Sequence, residues 1–162
     1  MPHFFSNTLM KKKYRHIVNM VKITYKGETR DIPKRYIPDT LTKAERLKQI
    51  KSIFEGEDRP KTKVRSRKSS ATVEFNKKYG ERLDKMKGGR SVENIAKVVG
   101  IPLRALKEVF LKGEGAYYSA GSRPNQTAQS WAYGRLYSFI TGIGGARKID
   151  KDIIEKYGIE FK

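Results

Sequence analysis

The chain has 162 residues, with 36 Lys and Arg against 17 Asp and Glu, a formal net charge of +19. It has no cysteine, which excludes disulfides, thiolate nucleophiles and Cys-ligated zinc. A cationic excess of this size is more than solubility requires, and it points to an anionic counterpart: nucleic acid, an anionic membrane face or acidic protein surfaces.

The absence of cysteine also favours a reducing compartment, because small secreted domains commonly carry disulfides. No apolar run approaches the about 20 residues of a membrane-spanning helix. The opening ten residues lack the charged leader of a signal peptide. The charge is unevenly placed: residues 1–90 hold 25 basic and 10 acidic side chains, net +15, and residues 91–162 hold 11 and 7, net +4.

In chain order, residues 1–16 combine Phe4, Phe5 and Leu9 with the cluster Lys11, Lys12, Lys13 and Arg15. This reads as a docking arm, with an import signal, a membrane-surface anchor or a free tail giving the same pattern. Val21 to Lys26 alternates apolar and polar residues, as a half-buried strand does. Lys26-Gly27 then makes a turn into Thr29–Ile32, which predicts a short hairpin. Pro33 and Pro38 interrupt regular structure.

A first helix is expected over Thr42–Phe54. Thr42 and Glu45 have capping-box spacing, Ala44, Leu47, Ile50, Ile53 and Phe54 form its apolar stripe, and Gly56 ends it. Arg59, Lys61, Lys63, Arg65 and Arg67 fall at every second position, with Lys68 following. In an extended segment these alternate side chains share one face, at intervals of roughly 6.6 Å, twice the rise per strand residue. Such a row suits a phosphate backbone or an acidic groove on a protein. It is also the pattern of a merely solvated basic loop.

Ser70–Tyr79 is expected to be a second helix closed by Gly80. Residues 91–113 read as two helices joined at Gly100, with Pro102 in the first turn of the later one and Gly113 at its end. Ile95, Ala96, Val99, Leu106 and Val109 face inward, the spacing of a helix-turn-helix. Plain helix packing explains the same spacing, and the segment lacks Asn or Gln at base-reading positions. Residues 113–126 read as a Gly-, Ser- and Tyr-rich loop in which Tyr117, Tyr118 and Arg123 either grip a ligand or wedge the loop in place. A helix over Thr127–Thr141 and a short one capped by Asp150 complete the chain. The expected fold class is α+β: mainly helical with a small β-hairpin, a basic N-terminal arm and a basic linker. The expected division is 1–34, 35–90 and 91–162.

The histidines, His3 and His16, both lie in the arm, and neither a His/carboxylate metal cluster nor a nucleophile-elbow serine is visible. The reading is therefore of a non-enzymatic protein with no cofactor, no metal site and no small-molecule substrate.

Two longer stretches carry a resemblance. Residues 35–61, from Arg35-Tyr-Ile-Pro-Asp-Thr-Leu-Thr to Arg-Pro-Lys61, are one. Residues 112–139, with Gly115-Ala-Tyr-Tyr, Arg123-Pro-Asn-Gln-Thr and Ser130-Trp, are the other, and Lys148-Ile-Asp-Lys-Asp fits as well. From about residue 35 to the C-terminus the chain resembles an uncharacterised domain family of nucleocytoplasmic large DNA viruses of algae and amoebae. The resemblance implies a setting rather than catalytic residues: a virion with a large icosahedral shell, assembled in the host cytoplasm or virus factory. There a minor capsid protein would fasten capsomers from beneath through contacts to major and other minor capsid proteins, close to the inner viral membrane surface. The alternative expectation is a virus-encoded DNA-binding protein that uses the basic strip and the helix-turn-helix-like unit.

Overall fold

A computed structural model describes residues 19–162 of the chain. The arm residues Lys11, Lys12, Lys13 and Arg15 lie outside the described residues. The fold is mainly helical with one two-stranded antiparallel sheet, as the sequence pattern predicts. The described chain divides into two compact units. One holds residues 19–64 with Gly121–Asn125, and the other holds Arg65–Ala120 with Gln126–Lys162. The boundary between Val64 and Arg65 falls inside the basic strip, a position the sequence did not mark.

In the first unit, β1 (Met20–Tyr25) pairs with β2 (Glu28–Pro33), Val21 opposite Ile32 and Ile23 opposite Arg30. The two-residue turn places Lys26 at φ 46° and Gly27 at φ 81°. Both central residues of a tight primed hairpin turn need positive φ, so a glycine in second place is what the geometry asks for. A 3-10 turn over Lys34–Tyr36 follows. Then comes α1 (Lys43–Glu55), opened by the full Thr42/Glu45 capping box and closed by Gly56 in the left-handed region.

The predicted stripe of α1 holds at Ile50, Ile53 and Phe54 but fails in its first turns. Ala44 and Leu47 are exposed, while Gln49, Ile50, Ser52, Ile53 and Phe54 are buried. The reason is polar. Gln49 is enclosed because its Nε2 donates to the carbonyls of Tyr36 and Ser122, both at 3.1 Å. One carbonyl ends the 3-10 turn and the other lies in irregular backbone, both outside any strand ladder, and a buried carbonyl must find a donor somewhere.

In the second unit, α2 (Ser70–Phe75) does not stop at Gly80. A π-helical turn over Asn76–Gly80 continues it into α3 (Glu81–Asp84). Arg90 docks into this wide turn. It donates to the Asn76 side chain and pairs with Asp84 at 3.0 Å, and a Cβ on Gly80 would come within 3.0 Å of its guanidinium. Gly80 thus lies inside a continuous helical segment, close against the Arg90 guanidinium, and does not end a helix.

α4 (Val92–Val99) and α5 (Leu103–Ser119) are joined at Gly100, which sits at φ 72°. α5 runs six residues past its expected end at Gly113. The residue marks a close helix crossing: a Cβ there would lie 2.7 Å from the backbone Cα of Ala132 on α6 (Ala128–Thr141). α7 (Ala146–Ile149) and α8 (Lys151–Tyr157) close the chain against these helices. Phe75, Leu83, Ile95, Leu106, Val109, Leu136, Phe139 and Ile153 are fully or almost fully enclosed in the core they share.

Asp150 does not cap α8 with its side chain, contrary to expectation. Its carboxylate is fully buried and is held by Arg135, whose Nε and Nη2 donate to Oδ2 and Oδ1 at 2.9 and 2.6 Å. Lys112 of α5 stands 3.6 Å away. Arg135 thus sits on the inner stripe of α6 as an ion partner. A two-point guanidinium–carboxylate pair is the geometry that makes a buried acid tolerable.

The α5–α6 crossing yields a paired prediction. Gly113→Ala gains up to about 1 kcal/mol of helix propensity but forces a contact with backbone that no side-chain rotation relieves. Overpacking of that kind costs about 1–3 kcal/mol, so a net loss of about 1–2 kcal/mol is expected. Gly115→Ala, where nothing lies within 4 Å of the added Cβ, should instead gain up to about 1 kcal/mol. Urea denaturation of the two variants checks the opposite signs.

Candidate interaction strip

The strip begins with a buried cation. Arg59 is 7 % exposed, and its Nη2 donates to the carbonyls of Ser52 and Glu57 at 3.1 and 2.6 Å. The alternation predicted from Arg59 onward therefore starts one step later. Arg59 folds back over the C-terminal end of α1 and is removed from the row, its guanidinium held by the Ser52 carbonyl, which also takes the Gly56 and Glu57 N–H groups, and by the Glu57 carbonyl just past the helix.

Lys61 and Lys63 are exposed, while Thr62 and Val64 between them are half-buried. Asn125 imposes this alternation. It sits at φ 64°, a conformation Asn tolerates better than most residues. Its Nδ2 donates to Thr62 Oγ1 at 3.0 Å and to the Val64 carbonyl at 2.9 Å, and its Oδ1 accepts from the Thr62 N–H. One amide thus does for the strip what a neighbouring strand would otherwise do. It turns Thr62 and Val64 inward and leaves Lys61 and Lys63 facing water.

In the second unit the strip continues through Arg65, Ser66, Arg67 and Lys68, all exposed and in irregular backbone. It ends where Ser69 caps α2 by accepting from the Thr72 N–H at 3.1 Å. Among the described residues, none of Lys61, Lys63, Arg65, Arg67 and Lys68 has an acidic side chain within ion-pair distance.

The helix-turn-helix-like pair is different. On α5, Lys107 faces Glu93 at 3.6 Å and Lys112 binds Asp152 at 2.9 Å. Glu108 of the same helix accepts from Lys156 and the Tyr157 hydroxyl at 2.6 and 2.7 Å. These bonds hold the Glu108 carboxyl below its usual range, the Lys156 bond first and the Tyr157 bond second. Of Arg104, Lys107 and Lys112 on this helix, two are engaged inside the unit, and Arg104 is exposed.

Tyr117 and Tyr118 lie in the last turns of α5, not in a loop. Tyr117 is fully buried, and its hydroxyl donates to the Gln126 carbonyl at 2.9 Å. The Tyr118 ring meets the Tyr117 ring edge-on at 4.9 Å and remains partly exposed. Arg123 belongs to the first unit. It and Arg59 act on Tyr36, whose phenol burial lifts above the ordinary tyrosine value against the opposing pull of Arg35, Arg123 and Arg59. A phenol shifted upward stays protonated at neutral pH.

Among the described residues, no group of three or more His, Asp or Glu is placed to hold a metal ion. No described helix is long and apolar enough to cross a membrane.

The architecture is that of a small basic α+β protein with a clamped cationic strip. Its family is one of unknown function: the DUF5824 family model matches residues 33–155, and the chain belongs to that family. The match begins at the end of β2 and includes the whole strip and its Asn125 clamp. No curated protein matches the chain, and no solved structure matches it either.

The clamp makes a direct prediction. Asn125→Gly keeps the positive φ at little backbone cost but removes all three side-chain hydrogen bonds. Trypsin should then cut after Lys61 and Lys63 several-fold faster than in the parent protein, because cleavage tracks how often the segment opens. Cleavage at Arg104 serves as the internal control and should not change.

Proposed function

We propose that this is a non-enzymatic structural protein of a large DNA virus particle, a minor capsid protein whose cationic strip fastens acidic surfaces of capsid proteins. The observation that carries the proposal is the placement of unbalanced charge. Five exposed cations fall within eight residues, 61–68, and lack acidic neighbours among the described residues. The Asn125 clamp presents the first two in a fixed alternation. A row held in place before binding loses less side-chain and backbone entropy when it meets its partner. The viral setting rests on the likeness of residues 35–61 and 112–139 to the viral family described above.

A cation row also suits duplex phosphates, and that is the competing reading. Its groove-entering half has weaker support, because Lys107 and Lys112 already bind Glu93 and Asp152. A helix that reads a groove needs those cations for the backbone.

The test uses particles stripped of genome. The protein is expected in the shell fraction at a fixed ratio to the major shell protein. A variant with Lys61, Lys63, Arg65, Arg67 and Lys68 all changed to Ala should fail to rebind isolated shells. Its stability should change little, since exposed substitutions cost within about 0.5 kcal/mol each. Arg104→Ala should rebind like the parent. Recovery of the protein with the genome fraction, or shell binding by the five-site variant, would contradict the proposal. The same variant series on duplex DNA addresses the competing reading. Nanomolar-to-micromolar binding that falls steeply with salt and is lost in Arg104→Ala would favour the groove reader.

A further inference from the structure

Four hydroxyl side chains lie in or at the end of the strip, and they are not equivalent. Thr62 Oγ1 accepts from Asn125 and sits half-buried in the clamp. Ser69 Oγ caps α2 and also shares a hydrogen bond with Thr72 Oγ1 at 2.9 Å. Ser70 is already helical. Ser66 is exposed, lies in backbone that is neither helix nor strand, and makes no side-chain hydrogen bond among the described residues. Its neighbours are Lys63, Arg65, Arg67 and Lys68, so cations stand at three residues and one residue before it and at one and two residues after it.

From this we propose that Ser66 is a phosphorylation site, read by a protein kinase with an acidic substrate groove, and that its modification weakens the strip's hold on acidic partners. The second part rests on the strip being the binding surface, as argued above. The recognition is charge complementarity: cations on both sides of one serine match carboxylates lining a kinase groove. Irregular, exposed backbone lets the segment lie along such a groove without unfolding a helix.

In the reaction, Ser66 Oγ attacks the γ-phosphorus of magnesium-bound ATP. The new Oγ–P bond forms as the bond from that phosphorus to the β,γ-bridging oxygen breaks. ADP leaves, and the hydroxyl proton passes to the kinase's catalytic carboxylate and then to solvent. The product adds about −1.5 to −2 charges at pH 7. The five cations give the strip +5, so the net falls to about +3. The added dianion also sits between Arg65 and Arg67, where it competes with the partner for both.

The test uses the full-length protein, a purified Ser/Thr kinase that selects serines flanked by basic residues, and Mg-ATP. Peptide mass mapping reads the site, and poly-L-glutamate serves as the acidic probe for binding. Phosphate is expected on Ser66 and absent from Ser66→Ala, which keeps the parent affinity. The phosphorylated protein and Ser66→Glu should bind more weakly, by about two- to thirty-fold for the doubly charged phosphate and less for Glu. Phosphate on Ser69 or Ser70 with Ser66 bare overturns the site. Equal affinity of the phosphorylated and parent proteins, while the five-site Ala variant binds poorly, overturns the switch alone. Equal affinity of the parent and the five-site variant overturns the strip reading and the switch with it.

Discussion

Thirty-six cationic side chains share seventeen acidic ones, so the fold cannot neutralise its own charge: 36 less 17 leaves nineteen in excess. Where that excess is left is the constraint on which the functional reading depends. In the helical unit, acids are placed to engage cations. Asp150 takes Arg135 and Lys112, Glu93 takes Lys107, Glu108 takes Lys156, and Asp84 takes Arg90. Among the described residues, no acidic side chain stands within ion-pair distance of the strip's five exposed cations. Exposed ion pairs contribute little to stability, about 0–1 kcal/mol each. Their distribution therefore says more about which surface is meant to meet a foreign anion than about what holds the fold together.

The fold itself rests on a few enforced contacts. Gly113 lets α5 and α6 approach to backbone contact, and the buried Arg135–Asp150 pair ties α6 to the start of α8. In the first unit, Gln49, Arg59 and Asn125 each supply side-chain donors to irregular backbone, at the Ser122, Glu57 and Val64 carbonyls. This is how a stretch with no ladder of its own satisfies its carbonyls. The first half of the strip, residues 61–64, gains its order from that arrangement rather than from secondary structure.

Much of this was legible in the sequence. The hairpin, its Lys26-Gly27 turn, the Thr42/Glu45 box and the helix from Thr127 follow from periodicity and capping residues, which are local signals. The failures share a physical cause. Gly80 and Gly113 look like terminators, yet both lie inside helical segments, and the groups they face, the Arg90 guanidinium and the Ala132 backbone, come from elsewhere in the chain. Leu47 fits the apolar stripe of α1 while Gln49 does not, because Gln49 is buried to serve two carbonyls. Arg59 continues the alternating row by spacing, but the end of α1 captures it. Asn125 gave no local sign of its reach to Thr62 and Val64. The run Arg-Pro-Asn-Gln was compositionally odd, and an Asn beside a Pro in a turn was the only available hint.

The claim that the strip is the contact surface is tested most directly by zero-length carboxylate–amine crosslinking of intact particles, followed by peptide mass mapping. The account predicts that crosslinks from this chain concentrate on Lys61, Lys63 and Lys68 and end on Asp and Glu residues of shell proteins. Crosslinks spread evenly over exposed lysines such as Lys97, Lys148 and Lys162, with the strip unmodified, would contradict it.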